Sequence, residues 1–216
     1  LEYSKIFSAK YAVILNISAD HIERHKNLAN YVNAKFKLLD SQSNKSIAFV
    51  KKNDHLIYKK IRKSNFRPKI YRVDTLKINK LSNQLNNKYF ISDGNKENLS
   101  FVLKIASKLK LNKIKLFKIL NNFKGLKYRQ QIIFDNKNLT IINDSKSTSF
   151  ASSESILKNF NDIYWILGGI PKKGDKFKLT KKECINYKAF VFGKYHKQFH
   201  RILKNKVKIK KYKNLK

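Results

Sequence analysis

Acidic side chains are scarce in this sequence: 14 aspartates and glutamates stand against 49 lysines and arginines, a formal net charge of +35. Methionine is absent, cysteine and tryptophan occur once each, proline twice and glycine six times. With Cys184 alone no internal disulfide can form, which suits a reducing compartment. So few glycines and prolines exclude a collagen-like or low-complexity chain. No apolar run approaches the roughly 20 residues a membrane helix needs. Nor does the start, Leu1-Glu2-Tyr3-Ser4-Lys5, show an apolar stretch behind a basic region, so no cleavable signal is expected. A cytoplasmic protein with no membrane partner is the expectation. The first residue is Leu1 rather than methionine, which reads as a start inside a longer protein.

What is present supports packing. A hydrophobic share of 42% with 12% aromatics, over 216 residues, argues against disorder and allows one large or two small domains with real cores. The positive charge is diffuse, because lysines occur in nearly every segment rather than on one arm or helix. Arginine, the better residue for reading phosphates and bases, occurs only at 24, 62, 67, 72, 129 and 201. Abundant Lys, Asn and Ile has the look of a coding bias towards A and T. A solvated surface is therefore favoured over a specific nucleic-acid partner.

Along the chain, residues 11–17 read as a buried strand. Leu28, Tyr31, Val32, Lys35 and Leu39 recur at helical spacing and predict a helix with one face inward. A strand is predicted at 47–50, a helix at 54–63 and a strand at 69–73. Residues 74–89, rich in Asn, Lys and Ser, predict irregular or short β structure, followed by amphipathic helices at 97–109 and 114–123. Gly125 marks the expected domain boundary, giving domains 1–124 and 125–216. Beyond it, strands at 130–134 and 139–142 flank Asp135-Asn136-Lys137-Asn138, a hairpin signal. A helix at 152–159, a strand at 163–167, a helix near Lys181, a strand at 189–192, a helix at 196–203 and a strand at 207–209 complete an alternating pattern. The fold class predicted is α/β with mostly parallel sheet.

Two stretches hold the candidate chemistry. Asn143-Asp144-Ser145-Lys146-Ser147-Thr148 follows one apolar run, and Gly168-Gly169 with Lys172 follows another. Strand ends of an open α/β sheet are where loops expose polar groups to a ligand crevice. A helix N-cap with polar flanks would account for one or two of these residues, not the set. The second stretch is Asp20-His21-Ile22-Glu23-Arg24-His25, with two histidines four apart. It is not H-E-x-x-H, because the glutamate is misplaced, so a zinc-protease reading is weak and a solvated polar loop is the plainer one. His196 and His200 are also four apart, and read as surface residues without a motif.

These residues together resemble the Mur ligase family. The run 16–25, followed by Ala34-Lys35, is similar to the family's L-N-(I/V)-x-x-D-H-x-(D/E)-R-H and A-K. The run 143–148 is similar to N-D-S-K-(A/S)-T, followed by G-G-x-x-K, of the members that add D-glutamate; sister enzymes usually carry D-Y-A-H there. Leu1-Glu2 resembles the end of S-S-F-Q-L-E. Asn95 and Asn98 fit H-N-x-x-N with Gly94 in place of His, and 125–129 fits G-L-x-H-R with Tyr128 in place of His.

By resemblance, the fold is part of a central ATPase domain followed by a Rossmann-like C-terminal domain. Glu2, His21 and a carbamylated Lys35 would hold Mg²⁺; an ammonium would repel the cation, whereas a carbamate offers it anionic oxygen. Lys35 falls on the apolar-spaced side of its helix, where a snorkelling lysine is the plainer alternative. Asn95, Asn98, Arg129 and Asp144 would contact ATP, the last at its ribose. Lys146 would stabilise phosphate or a developing oxyanion, and Thr148 and Lys172 would hold the carboxylates of D-glutamate. The implied partners are UDP-N-acetylmuramoyl-L-alanine and D-glutamate, and the implied state is a monomer in the cytoplasm. No G-x-x-x-x-G-K-(S/T) occurs, so the phosphate loop is expected before Leu1, along with the UDP-binding domain. The family's S-P-x-x-x-S-x-D-x-F segment is missing too, and the chain alone is not expected to be a working ligase. A folylpolyglutamate synthase would share the fold and the modified lysine, but the 143–146 signature argues against it.

Overall fold

The computed structural model describes residues 7–17, 22–78, 84–172 and 174–214. The chain forms two compact units: residues 1–86 with 95–119, and residues 87–94 with 120–216. Both contain parallel sheet, so the α/β class read from the sequence holds.

In the first unit, β1 (Tyr11–Ile14), β2 (Ile47–Lys51) and β3 (Lys69–Val73) make a parallel sheet in the order β1-β2-β3. A one-turn helix α1 (Ile22–His25) and then α2 (Leu28–Asp40) connect β1 to β2, and α3 (His55–Arg62) connects β2 to β3. The central strand β2 is buried on both sides, which is why it reads as an unbroken apolar run rather than an alternation. On one side Ala48 and Val50 join Phe36, Leu39 and Ile57 from the connecting helices. On the other, Phe49 meets Phe101 of α4 (Asp93–Lys108). Phe36 and Phe49 are wholly enclosed, and truncating such a ring to alanine costs about 3–5 kcal/mol. Helix α5 (Lys113–Asn121) follows.

Asp54 fixes the top of this sheet. One carboxylate oxygen accepts the N–H groups of Leu56 and Ile57, both at 3.0 Å, capping α3. The other accepts Ile17 N–H at 3.0 Å, so the chain leaving β1 is pinned to the start of α3. A cap of this kind contributes about 1 kcal/mol.

In the second unit, β4 (Gln131–Asp135) and β5 (Thr140–Asn143) form an antiparallel hairpin, its turn closed by the Asn136 carboxamide accepting from Asn138 and Leu139 N–H. A parallel sheet of β6 (Ile163–Gly168), β7 (Tyr187–Phe192) and β8 (Lys208–Tyr212) follows in the order β6-β7-β8. Helices α6 (Phe150–Leu157) and α7 (His196–Leu203) supply Phe150, Leu157, Phe199 and Leu203 to one core with Phe177, Tyr187 and Val191. Gly125 cannot be another residue: its φ is +72°, and a Cβ there would lie 2.3 Å from the Tyr89 ring.

Several boundaries differ from expectation. The helix expected near Lys181 is a set of turns, in which the Glu183 carboxylate accepts from the Thr180 N–H and hydroxyl, a local bond that competes with helical pairing. Of the irregular or short β structure expected at 74–89, the described residues show the irregular form, with two 3₁₀ turns, Leu76–Ile78 and Lys88–Ile91. Asp74 and Asn87 start them by accepting the N–H groups of Leu76 and Tyr89, a local bond that competes with strand pairing. Strand β1 stops at Ile14 rather than residue 17, and β8 runs on to Tyr212.

Candidate functional site

The first unit carries Lys35, Asn95 and Asn98. Lys35 lies on α2, half-buried, its Nζ donating to the Asn16 carbonyl at 3.1 Å and standing 4.9 Å from the centre of the Tyr31 ring. Tyr31 in turn packs against His25, ring centres 5.1 Å apart. The amine is thus held at the loop that follows β1, a strand end of the kind expected for ligand binding. Glu2 and His21 lie outside the described residues. Among the described residues, no three of His, Cys, Asp and Glu cluster as a metal site. The three-member set has the chemistry for Mg²⁺ only if Lys35 is converted from a cation to an oxygen donor.

Asn95 is buried in the first turn of α4, whereas Asn98 is exposed one turn later. Between them Glu97 pairs with Lys51 at the end of β2. A Cβ on Gly94 would meet only Ser155 Oγ at 4.0 Å, so nothing in the packing demands a glycine there.

The second unit holds the more complete constellation. Asp144 follows β5, half-buried, and accepts the Gln130 N–H through Oδ1 at 3.0 Å. Burial holds its carboxyl above the usual carboxylate range, while the Gln130 N–H, the Ser147 hydroxyl and the Arg129 guanidinium pull the other way. Tyr128 and Gln130 adopt positive φ, +66° and +48°, and the Lys146 N–H donates to the Tyr128 carbonyl at 3.0 Å. The Arg129 turn and the Asp144 loop are therefore stapled together.

Asp144, Thr148 and Lys172 line one cleft of about 850 Å³, bounded also by Trp165 and Ile170. Lys146 is exposed and does not line it. Residues 143–148 are not the helix cap: that role belongs to Ser149, whose side chain accepts the Ser152 N–H in a reciprocal capping box. Gly168 is needed where β6 enters the cleft, because a Cβ would come within 2.9 Å of the Phe192 carbonyl and ring. Two cleft residues are given no role of their own by sequence reasoning. Asp175 accepts the Phe150 N–H at 2.7 Å, and Ser147 joins Ser152 and Ser153 through hydroxyl contacts at 2.7 and 3.0 Å. Ser147 falls inside the 143–148 run without a role of its own there, and an aspartate after Gly174 reads only as a turn.

His196 and His200, expected on the surface, are half-buried on α7; His196 meets the Gly193 carbonyl at 2.8 Å. Burial and the nearby Lys211 and Lys204 lower the His200 pKa. No helix among the described residues is long and apolar enough to cross a membrane. The Cys184 thiol is pushed up to about 11, chiefly by burial, and is unreactive at neutral pH.

A model of the Mur ligase middle domain matches residues 2–122. A UDP-N-acetylmuramoylalanine–D-glutamate ligase of Rickettsia felis is 28% identical, over 95% of this chain and 49% of its own length. One of Buchnera aphidicola is 32% identical, over 90% and 48%. The chain thus spans about half the length of the curated relatives it matches. Among solved structures, MurF from Acinetobacter baumannii superposes with a TM-score of 0.66 at 15% identity, covering 95% of this chain and 51% of that one. MurF from Thermotoga maritima, solved in complex with ADP, gives 0.63 at 13% identity, covering 95% and 53%. At such identities the superpositions speak to the fold, a middle region followed by a Rossmann-like C-terminal region. With the family model covering more than half of its residues, the chain belongs to the Mur ligase family.

Proposed function

We propose that the protein carrying this chain is an ATP-dependent amide ligase that adds D-glutamate to UDP-N-acetylmuramoyl-L-alanine. The observation that carries this reading is the cleft in which Asp144, Thr148 and Lys172 meet, the three described residues assigned to ribose and to the incoming dicarboxylate. Similarity to D-glutamate ligases in particular supports it. Residues 1–124 are assigned to ATP binding and 125–216 to the amino acid. The protein is proposed to act as a cytoplasmic monomer.

The chemistry follows from the groups available. ATP phosphorylates the substrate carboxylate to an acyl phosphate, with release of ADP. The D-glutamate amine attacks the acyl carbon, and the tetrahedral intermediate collapses to the amide as phosphate leaves. Lys146 offsets charge on the intermediate. Thr148 donates a hydroxyl and Lys172 a point charge to the carboxylates of the amino acid. Asn95, Asn98 and Arg129 hold the nucleotide, and Asp144 accepts from its ribose. Carbamylated Lys35, with Glu2 and His21, would hold Mg²⁺, which when bound neutralises phosphate oxygens.

Isotope transfer tests the reaction. With ¹⁸O in the substrate carboxylate, one labelled oxygen should appear in the phosphate released during D-glutamate addition. Unlabelled phosphate, or AMP as product, would refute the acyl-phosphate route.

A further inference from the structure

Gln130 belongs to none of the motifs, yet three segments of the second unit meet at it. Its N–H donates to Asp144 Oδ1 at 3.0 Å. Its side-chain Oε1 accepts from Ser92 Oγ at 2.6 Å, and its Nε2 donates to Ser155 Oγ at 3.2 Å. Ser92 is completely buried ahead of α4, and Ser155 lies on α6. The two ends of one carboxamide thus hold two separate segments.

The backbone explains why such a hold is needed. At φ +48° Gln130 is in the left-handed region, which a residue with a Cβ enters at a cost and keeps only when its surroundings impose it. In an ordinary conformation its N–H would no longer point at Asp144. The bond from Lys146 N–H to the Tyr128 carbonyl closes the same loop from the other side. Anchoring Oδ1 restrains the rotamer of a carboxylate that lines the cleft.

We infer that Gln130 is a positioning residue: its carboxamide, clamped between Ser92 and Ser155, holds the left-handed turn that aims the Asp144 carboxylate at the nucleotide ribose. This rests on the reading of Asp144 as the ribose contact. Gln130 itself touches no substrate and acts through Asp144.

The test compares ATP with 2′,3′-dideoxy-ATP in the complete ligase, as a ratio of kcat/KM values. That ratio does not depend on how much of a variant is folded. One hydrogen bond to a charged group makes the wild-type preference for ATP about tenfold or more. Asp144→Ala should abolish the preference. Gln130→Ala should lose most of it, and adding Gln130→Ala to Asp144→Ala should change the ratio no further. Gln130→Gly keeps the N–H and tolerates positive φ, so it should recover part of what alanine loses. If Asp144→Ala retains the preference, the ribose reading itself is wrong. If Asp144→Ala loses it while Gln130→Ala keeps it, the ribose reading stands and the positioning role is refuted.

Discussion

Asp175 accepts the Phe150 backbone N–H through Oδ2 at 2.7 Å, which ties the loop carrying Lys172 to the first turn of α6. One turn further along, the buried Glu154 carboxylate accepts the Lys178 N–H, so the same loop is strapped to the helix twice. The Lys172 carbonyl accepts from Asp175 N–H at 3.2 Å, a bond that tethers the lysine's backbone to Asp175.

The first prediction follows from that tether. In the complete enzyme, Lys172→Ala and Thr148→Ala should each raise KM for D-glutamate about ten- to a hundredfold, with little change for ATP. Asp175→Ala should raise the same KM to a smaller extent, because the charge remains but its placement loosens. Steady-state kinetics with each substrate varied would show this. A rise in KM for ATP alone would move the amino-acid site elsewhere.

Lys35 provides the second. Its amine donates to the Asn16 carbonyl beside the Tyr31 ring, and a cation there would repel magnesium, whereas a carbamate would offer it oxygen. Lys35→Ala should take ligase activity below detection, and bicarbonate or short carboxylates should restore part of it. An alanine variant with normal activity would remove the carbamate from the scheme.

A third concerns pH and Asp144. Its carboxyl is held above the ordinary range by burial, so the native state keeps this proton more firmly than the unfolded chain does. Stability from this group is therefore present below about pH 4 and lost as pH rises through the raised native value. Asp144→Asn keeps an acceptor for the Gln130 N–H and sheds the desolvated charge. Melting curves should show the variant at least as stable as the wild type at pH 7, with a smaller loss between pH 4 and pH 7. A variant that melts lower only at pH 7 would contradict the assignment.

The first unit's layout was readable because single residues declare it. Phe49 and Val50 face opposite sides, and their unbroken apolar run announces a strand covered on both faces. Tyr31, Val32 and Leu39 mark the inward stripe of α2 by spacing alone, although Phe36, which joins them in the core, is not among the residues that spacing picks out. In β6 the apolar run announces the strand but not its facing: Ile163 and Trp165 pack on the core, whereas Tyr164 and Ile166 are 69% and 68% exposed. The motif residues Asp144, Thr148 and Lys172 could be found because type and spacing identify them. Gln130 and Asp175 could not, since their roles rest on bonds to residues 14 to 38 positions away that no local pattern encodes.

The charge of +35 gives a fourth prediction. DNA binding by this chain should be weak, indifferent to sequence, and removed by raising salt from about 50 to 200 mM as counterions compete. Titration of random and defined duplexes at both salt levels would decide this. Tight, sequence-dependent binding at the higher salt would favour a nucleic-acid protein over a ligase.

The central claim is the choice of amino acid, and product analysis in the complete enzyme tests it most directly. UDP-N-acetylmuramoyl-L-alanine, ATP and Mg²⁺ would be offered with D-glutamate, L-glutamate, L-alanine, meso-diaminopimelate or D-alanyl-D-alanine in separate reactions. The cleft of Asp144, Thr148 and Lys172 predicts stoichiometric ADP, phosphate and a glutamyl amide with D-glutamate only. Amide formation with any of the others in preference to D-glutamate would contradict it.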